Sequence, residues 1–241
     1  MSVAGQQETS VGQVALIGLF VTALLTAQVT AAKLLGFDLP VSIPVVGDAI
    51  ILPGAALAYA LTFFASDAYA ELYGRRAAQV MVNVAFFLNF VLLALVWSTI
   101  LAPAAAASPV APATFAAVLG PSTNIVIGSL AAYIVSQNWD VLAFHRIGEA
   151  TDGAHLWLRN IGSTATSQLI DTTIFVTLAF FVVPRVLGTA GAVSPGVVAS
   201  LIVGQYLLKL LIALVDTPFV YLVVSVLRRR ERAEPTIRAA D

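Results

Sequence analysis

The stretch "GSTATSQLIDTTIFVTLAFF", Gly162 to Phe181, decides how this chain is read. It is about as long and apolar as a membrane-spanning helix, which needs roughly 20 mostly apolar residues. Yet it carries one charged residue, Asp171, and the apolar run continues past it to Val183. A carboxylate at the bilayer centre costs about 2.5–3.5 kcal/mol on insertion scales, so it faces a bundle interior or a wet cavity. On a helix, Thr164, Gln168, Asp171 and Thr172 share one face. Ile170, Ile174 and Phe181 lie on the other side. Asp171 therefore belongs to a polar stripe, and such a stripe in lipid calls for partner helices.

Composition makes lipid the expected solvent. Of 241 residues, 59% are hydrophobic and 10% charged, against about 25% charged in soluble domains. The mean hydropathy is +0.94. A formal net charge of −1 gives nucleic-acid binding no electrostatic support. The absence of cysteine removes disulfides and thiolate metal sites, and no histidine pair has metal-ligand spacing, so no cofactor is expected.

Charge-poor runs predict six transmembrane helices in an all-α membrane protein. The first is Val11 to Ala32 and the second about Ala49 to Gly74. No charge occurs from Ala77 to Trp139, but Pro103, Pro109, Pro112 and Pro121 divide that run. It makes spans of about Ala77 to Leu101 and Ser122 to Phe144. The fifth runs from about Asn160 to Val183, the sixth from about Pro195 to Leu227. Residues 1–10 read as a short N-terminal tail, 11–227 as the transmembrane domain and 228–241 as a basic tail. Arg75, Arg76, Arg146, Arg159 and the arginines from Arg228 onward fall on one side, against Lys33 and Arg185 on the other. The positive-inside bias places both termini in the cytoplasm of a multi-pass cell-membrane protein.

Two connections are not simple. "LLGFDLPVSIPVVGDAIILPG", Leu34 to Gly54, reads either as a short hairpin or lid over the outer mouth or as an irregular surface loop. The polar stretch His145 to Asn160 reads as a cytoplasmic loop, with Trp157 at the interface and both histidines solvated.

Other spans carry polar residues too. Gln205, Lys209 and Asp216 share a face of the sixth span. Lys209 needs a carboxylate partner, for which Asp171 is the first candidate. Asp67 and Glu71 are one turn apart on the second span, and Glu71 stands four residues before Arg75, the spacing of a helical ion pair. Tyr133, Gln137 and Asp140 share a face of the fourth. Thr22, Thr26 and Thr30 form a mild stripe on the first, with Gln28 facing elsewhere. Five carboxylates against one deep lysine are unbalanced in a dry core. Either a hydrated cavity solvates them or some hold protons, and both suit a polar pathway better than a scaffold.

The segments "FASDAYAELYGRR" from Phe64, "SQNWDVLAFHRI" from Ser136, "WLRNIGSTATSQLIDTTIF" from Trp157 and "LKLLIALVDTPFVYLV" from Leu208 occur in that order. Together they resemble the queuosine precursor transporters, the YhhQ-like group of the vitamin-uptake transporter family. The resemblance covers about Thr26 to Arg228. It implies six helices, a fold like the substrate-binding component of energy-coupling-factor transporters, and import of 7-deazaguanines for tRNA modification salvage. Where the family has an "AN-x-x-x-x-K" pattern, this chain reads "AQVTAAK", with Gln28 in place of asparagine and Lys33 retained.

A 7-deazaguanine carries the guanine edge, with N1–H and an amine as donors and O6 as acceptor. Asp171 or Asp67 suits the donors. Gln168, Gln137, Asn138 or Lys209 suits O6, and Phe175, Tyr133 or Phe64 suits the flat ring. The expected substrate-binding set is Asp67, Asp140, Asp171, Gln168, Lys209, Gln137 and Gln28. Glu71, Asp216, Gln205 and Thr164 stand behind it or serve coupling. The expected partners are a purine-like small molecule and the lipid bilayer, and a homo-oligomer is compatible with the sequence.

Two other readings compete. One is a substrate-binding subunit that needs a separate ATPase module, docked through the small face Ala55, Ala58 and Ala65; this chain has no G-x-x-x-x-G-K-[ST] loop of its own. The other is an intramembrane aspartyl protease using Asp67 and Asp171, which lacks support because the only Gly-Asp pair, Gly47-Asp48, lies in the external loop.

Overall fold

A computed structural model describes residues 10–43, 47–152 and 155–238, without the side chains of Ile43, Trp157, Thr217 and residues 229–238. The N-terminal tail therefore lies almost wholly outside the described residues, as do the side chain of Trp157 and most of the basic tail's side chains. Helix α1 (Val11–Thr30) starts at Ser10, whose hydroxyl caps Gln13 N at 3.1 Å and contacts Tyr73 Oη at 3.0 Å. Strands β1 (Leu34–Ile43) and β2 (Gly47–Pro53) follow, then α2 (Ala56–Tyr73), α3 (Arg75–Leu101), α4 (Pro112–Leu119) and α5 (Ser122–Ala150). Helix α6 (Leu156–Thr177) runs through a π-helical turn, Leu178–Val182, into α7 (Val183–Leu187), and α8 (Pro195–Arg238) ends the chain.

The protein is an all-α membrane protein with one small hairpin. Among the described residues, five helical stretches are long and apolar enough to cross a membrane. Helix α2, the expected second span, is not among them. It is 18 residues long, about 27 Å at 1.5 Å per residue, and Ser66, Asp67 and Glu71 lower its hydropathy. It also begins later than expected, at Ala56, because residues 49–53 belong to β2.

Of the two readings of the 34–54 connection, the hairpin is the one found. Leu34 pairs Pro53 and Asp38 pairs Ala49, and the register breaks between Asp38 and Ile43. Pro40 lies in that break, where a residue without an N–H cannot hold the ladder. The hairpin is tied down by Gly54 N–H donating to Lys33 O at 2.6 Å and by close approach to α8. A Cβ on Gly204 would sit 2.7 Å from Ile51 O, so only glycine admits β2 there.

The expected loop from His145 shrinks. Helix α5 continues to Ala150, which puts His145 on a helix, and only residues 151–155 connect it to α6. At the other end of α6 the chain widens into the π-helical turn for a local reason. Pro184 has no N–H to give the carbonyl of Phe180 four residues back. That carbonyl accepts Val193 N–H at 2.9 Å instead. Arg185 fixes the same corner, donating to Phe181 O at 2.6 Å and Val193 O at 2.7 Å.

Helices α5 and α6 run antiparallel along a seam of small residues. A Cβ on Gly128 would lie 2.9 Å from Ala179 Cβ, and Ser163 and Ser167 are buried. Such small residues let helix backbones close up without a hydrophobic drive from water. Helix α2 packs between α1 and α8: Ala65 and Ala68 are buried, as is Val224 of α8 in the same cluster. The expected docking face is thus used up inside the chain, with Ala55 and Ala65 buried and Ala58 packed on the second core cluster. By helix direction, Arg75, Arg76, Arg146, Arg159 and Arg228 share one end of the bundle, and the hairpin, Lys33 and Arg185 share the other.

Candidate functional site

The carboxylate of Asp171 meets Lys209 midway along the bundle. Lys209 Nζ lies 2.6 Å from Asp171 Oδ2, with side-chain exposures of 6% and 21%. Ser136 of α5 donates to Asp171 Oδ1 at 3.2 Å. The pair costs desolvation, and the close contact with its extra hydrogen bond offsets that cost. Lys209 thus has the partner that its depth demands.

The pair forms part of the wall of a cavity of about 220 Å³. Helix α2 contributes Tyr59, Thr62, Phe63 and Ser66, residues three or four apart on one face. Helix α5 contributes Ser129, Tyr133, Ser136 and Gln137 by the same periodicity. Gln168 and Phe175 of α6 complete the polar and aromatic walls. Tyr133 is held in place by stacking on Phe86, with centroids 4.2 Å apart, and by Gln79 Nε2 at 2.6 Å. Phe175 is buried and meets Phe180 edge-on at 5.9 Å.

A second cavity, of about 500 Å³, lies toward the arginine-rich end. Asp67, Thr164 and Asp216 line it, together with Asn160 at its outer part. Phe63, Gln168 and Lys209 line both cavities. Gln205 is buried beside Lys209 and Tyr59, along a void of about 10 Å³, and its carbonyl oxygen has no hydrogen-bond partner among the described residues.

Several expected positions fall elsewhere. Asp140 lines neither cavity; it accepts Ser167 Oγ at 3.2 Å on the α5–α6 seam. Gln28 is buried, one turn beyond the cavity residue Leu24, and its side chain reaches neither wall. Asn138 donates back to Ile134 O at 2.6 Å, so its amide is engaged on its own helix. Phe64 lies in an apolar groove between α2 and α8, and its neighbour Phe63 takes the cavity place. Glu71 pairs with Arg228 at 2.9 Å rather than with Arg75. Gly74, at φ 88, ends α2 before Arg75, so the spacing within one helix never forms.

One signal in the sequence went unused. The pentapeptides Ser136-Gln137-Asn138-Trp139-Asp140 and Ser167-Gln168-Leu169-Ile170-Asp171 share the pattern S-Q-x-x-D. On antiparallel helices each serine reaches the other motif's aspartate, and both glutamines reach the cavity. Tyr59, Phe63 and Ser129 were also missed; their spacing on α2 and α5 was visible, but not which face turns inward.

Comparison with known proteins fits this architecture. The profile of a family described as "Putative vitamin uptake transporter" matches residues 53–223, from the end of the hairpin through most of α8. The chain belongs to this family. The transporter is also 31% identical over 176 residues to a protein of Bacillus subtilis (strain 168) described as "Probable queuosine precursor transporter", covering 73% of this chain and 72% of that one. No solved structure matches. The matched region contains Asp67, Asp140, Asp171, Lys209 and Asp216. It is a multi-pass membrane transporter, not an enzyme.

Proposed function

We propose that this transporter imports a 7-deazaguanine precursor of queuosine, 7-cyano-7-deazaguanine or 7-aminomethyl-7-deazaguanine. The reading rests on one observation: a buried Lys209 paired with a half-buried Asp171 that opens on a small cavity with aromatic walls. A carboxylate accepts N1–H and the exocyclic amine together, the charge-assisted geometry that is both strong and directional. The amides of Gln137 and Gln168 donate to O6, while Phe63 and Phe175 flank the ring. A volume of about 220 Å³ falls below the usual range of about 300–1,000 Å³ for ligand pockets, which suits a compact flat base. The name of the Bacillus subtilis relative supports the same substrate class.

In this reading α2 is the sixth crossing, and the arginine-rich end faces the cytoplasm, as the positive-inside bias favours. The test is uptake of labelled 7-cyano-7-deazaguanine into vesicles holding the purified chain, with Asp171→Asn beside it. Uptake by the parent and its loss in the variant support the proposal. No binding and no uptake of either 7-deazaguanine overturn it. Binding without uptake would instead favour a subunit that needs an ATPase partner.

A further inference from the structure

The two cavities meet at one partition. Phe63 of α2, Gln168 of α6 and Lys209 of α8 line both, so these side chains stand between the two chambers. On α6 and α8 the two linings separate along the helix axis, whereas on α2 Ser66 of the first cavity adjoins Asp67 of the second. Toward the hairpin lie Tyr59, Ser129 and Phe175; toward the arginine-rich end lie Asp67, Thr164 and Asp216. The geometry points to an inner gate made of Phe63, Gln168 and Lys209, in which the Lys209 ammonium is the moving bolt between Asp171 above and the carboxylates of Asp67 and Asp216 below.

Three features support it. Lys209 is joined to Asp171 through one oxygen, the other being taken by Ser136. A ligand donating two hydrogen bonds to the Asp171 carboxylate engages both oxygens, including the Oδ2 that Lys209 holds, and so weakens that pairing. Below the partition, neither Asp67 nor Asp216 has an ion-pair partner among the described residues, so a displaced ammonium has somewhere to go. Finally, Gln168 Oε1 at the partition has no hydrogen-bond partner among the described residues, which leaves an acceptor free for a group that shifts or passes there. The gate stands on the geometry alone; only the trigger, substrate on Asp171, rests on the importer reading.

The chain has no cysteine, so single cysteines report on accessibility without prior engineering. Ser129→Cys places a thiol in the upper cavity and Thr164→Cys one in the lower. A membrane-impermeant methanethiosulfonate is applied to membrane vesicles from the arginine-rich face. Thr164→Cys should react, and Ser129→Cys should react at least 10-fold more slowly. Adding Phe63→Ala should raise the Ser129→Cys rate at least 10-fold; Phe63→Leu, which keeps most of the bulk, should raise it less and guards against a misfolded alanine variant. An unchanged Ser129→Cys rate in both backgrounds, or equal rates for the two cysteines in the parent, overturns the gate. For the bolt, Asp67→Asn with Asp216→Asn should keep 7-cyano-7-deazaguanine binding within about 3-fold while uptake falls at least 10-fold; parental uptake overturns it. If the parent binds no 7-deazaguanine while the thiol rates behave as expected, the importer reading fails and the gate stands.

Discussion

Ser136 Oγ donates to Asp171 Oδ1 at 3.2 Å, and the mirror contact, Ser167 Oγ to Asp140 Oδ1, has the same length one turn away on the same seam. Two copies of one short pattern thus cross-link α5 and α6 reciprocally. The copies differ in what lies beyond: Asp171 faces the cavity and Lys209, whereas Asp140 lines neither chamber.

That difference separates stability from transport. Ser136→Ala and Ser167→Ala should each destabilise the protein by about 0.6 kcal/mol, the mean for interhelical hydrogen bonds in a membrane bundle. Only Ser136→Ala should also alter substrate affinity, because only its acceptor faces the cavity. Reversible unfolding in mixed micelles and a binding isotherm on each variant give the two readings.

Breaking the buried pair should cost more. Lys209→Met leaves the half-buried Asp171 with no cation and should lower stability by about 1–3 kcal/mol, less than breaking a fully buried pair costs. Combining it with Asp171→Asn should recover most of that loss but no uptake. A double-variant cycle checks this, and additive losses would show that the two groups do not act as a pair.

The Glu71–Arg228 bridge should behave differently. Its side chains are 49% and 51% exposed, and exposed bridges are worth about 0–1 kcal/mol. Glu71→Gln should shift the melting temperature little and leave uptake within 2-fold. A 10-fold loss of uptake would return Glu71 to a coupling role.

The seam itself can be tested without touching polar groups. Gly128→Ala places a methyl 2.9 Å from Ala179 Cβ, and overpacking of this kind costs about 1–3 kcal/mol. Gly18→Ala meets nothing within 4 Å and, lying inside α1, should raise stability by about 0.5–1 kcal/mol. Equal effects for the two would contradict the packing described.

Phe175 should matter to affinity. Removing a stacking aromatic costs about 1–3 kcal/mol where bases are bound, so Phe175→Leu should raise KM for the 7-deazaguanine about 10-fold or more. A change confined to the maximal rate would argue against stacking.

Much of this was legible in the sequence because lipid punishes charge. Apolar runs placed α1 and α3 to within two residues, while α5 runs six residues past its expected end and α6 starts four residues early, and the lone deep lysine announced its need for a carboxylate. Rotation about a helix axis was not legible. Phe63 and Phe64 are adjacent and equally aromatic, and only packing against α8 decides which one enters the cavity. The spacing of Glu71 and Arg75 misleads because Gly74 ends the helix between them. The hairpin was undecidable because proline and glycine serve a strand pair and an irregular loop alike.

Helix α2 is fastened to α8 at both extremities: by the hairpin whose second strand leans on Gly204, and by Glu71 with Arg228. A beam clamped at either end resists sliding past its neighbour and tilts only in company with it. The α5–α6 pair, stapled by its own serines, is a second such plank. The joint between the planks is bridged midway by Lys209 with Asp171 and by Tyr206 Oη donating to Ala165 O at 3.3 Å, and that is where the bundle can rock.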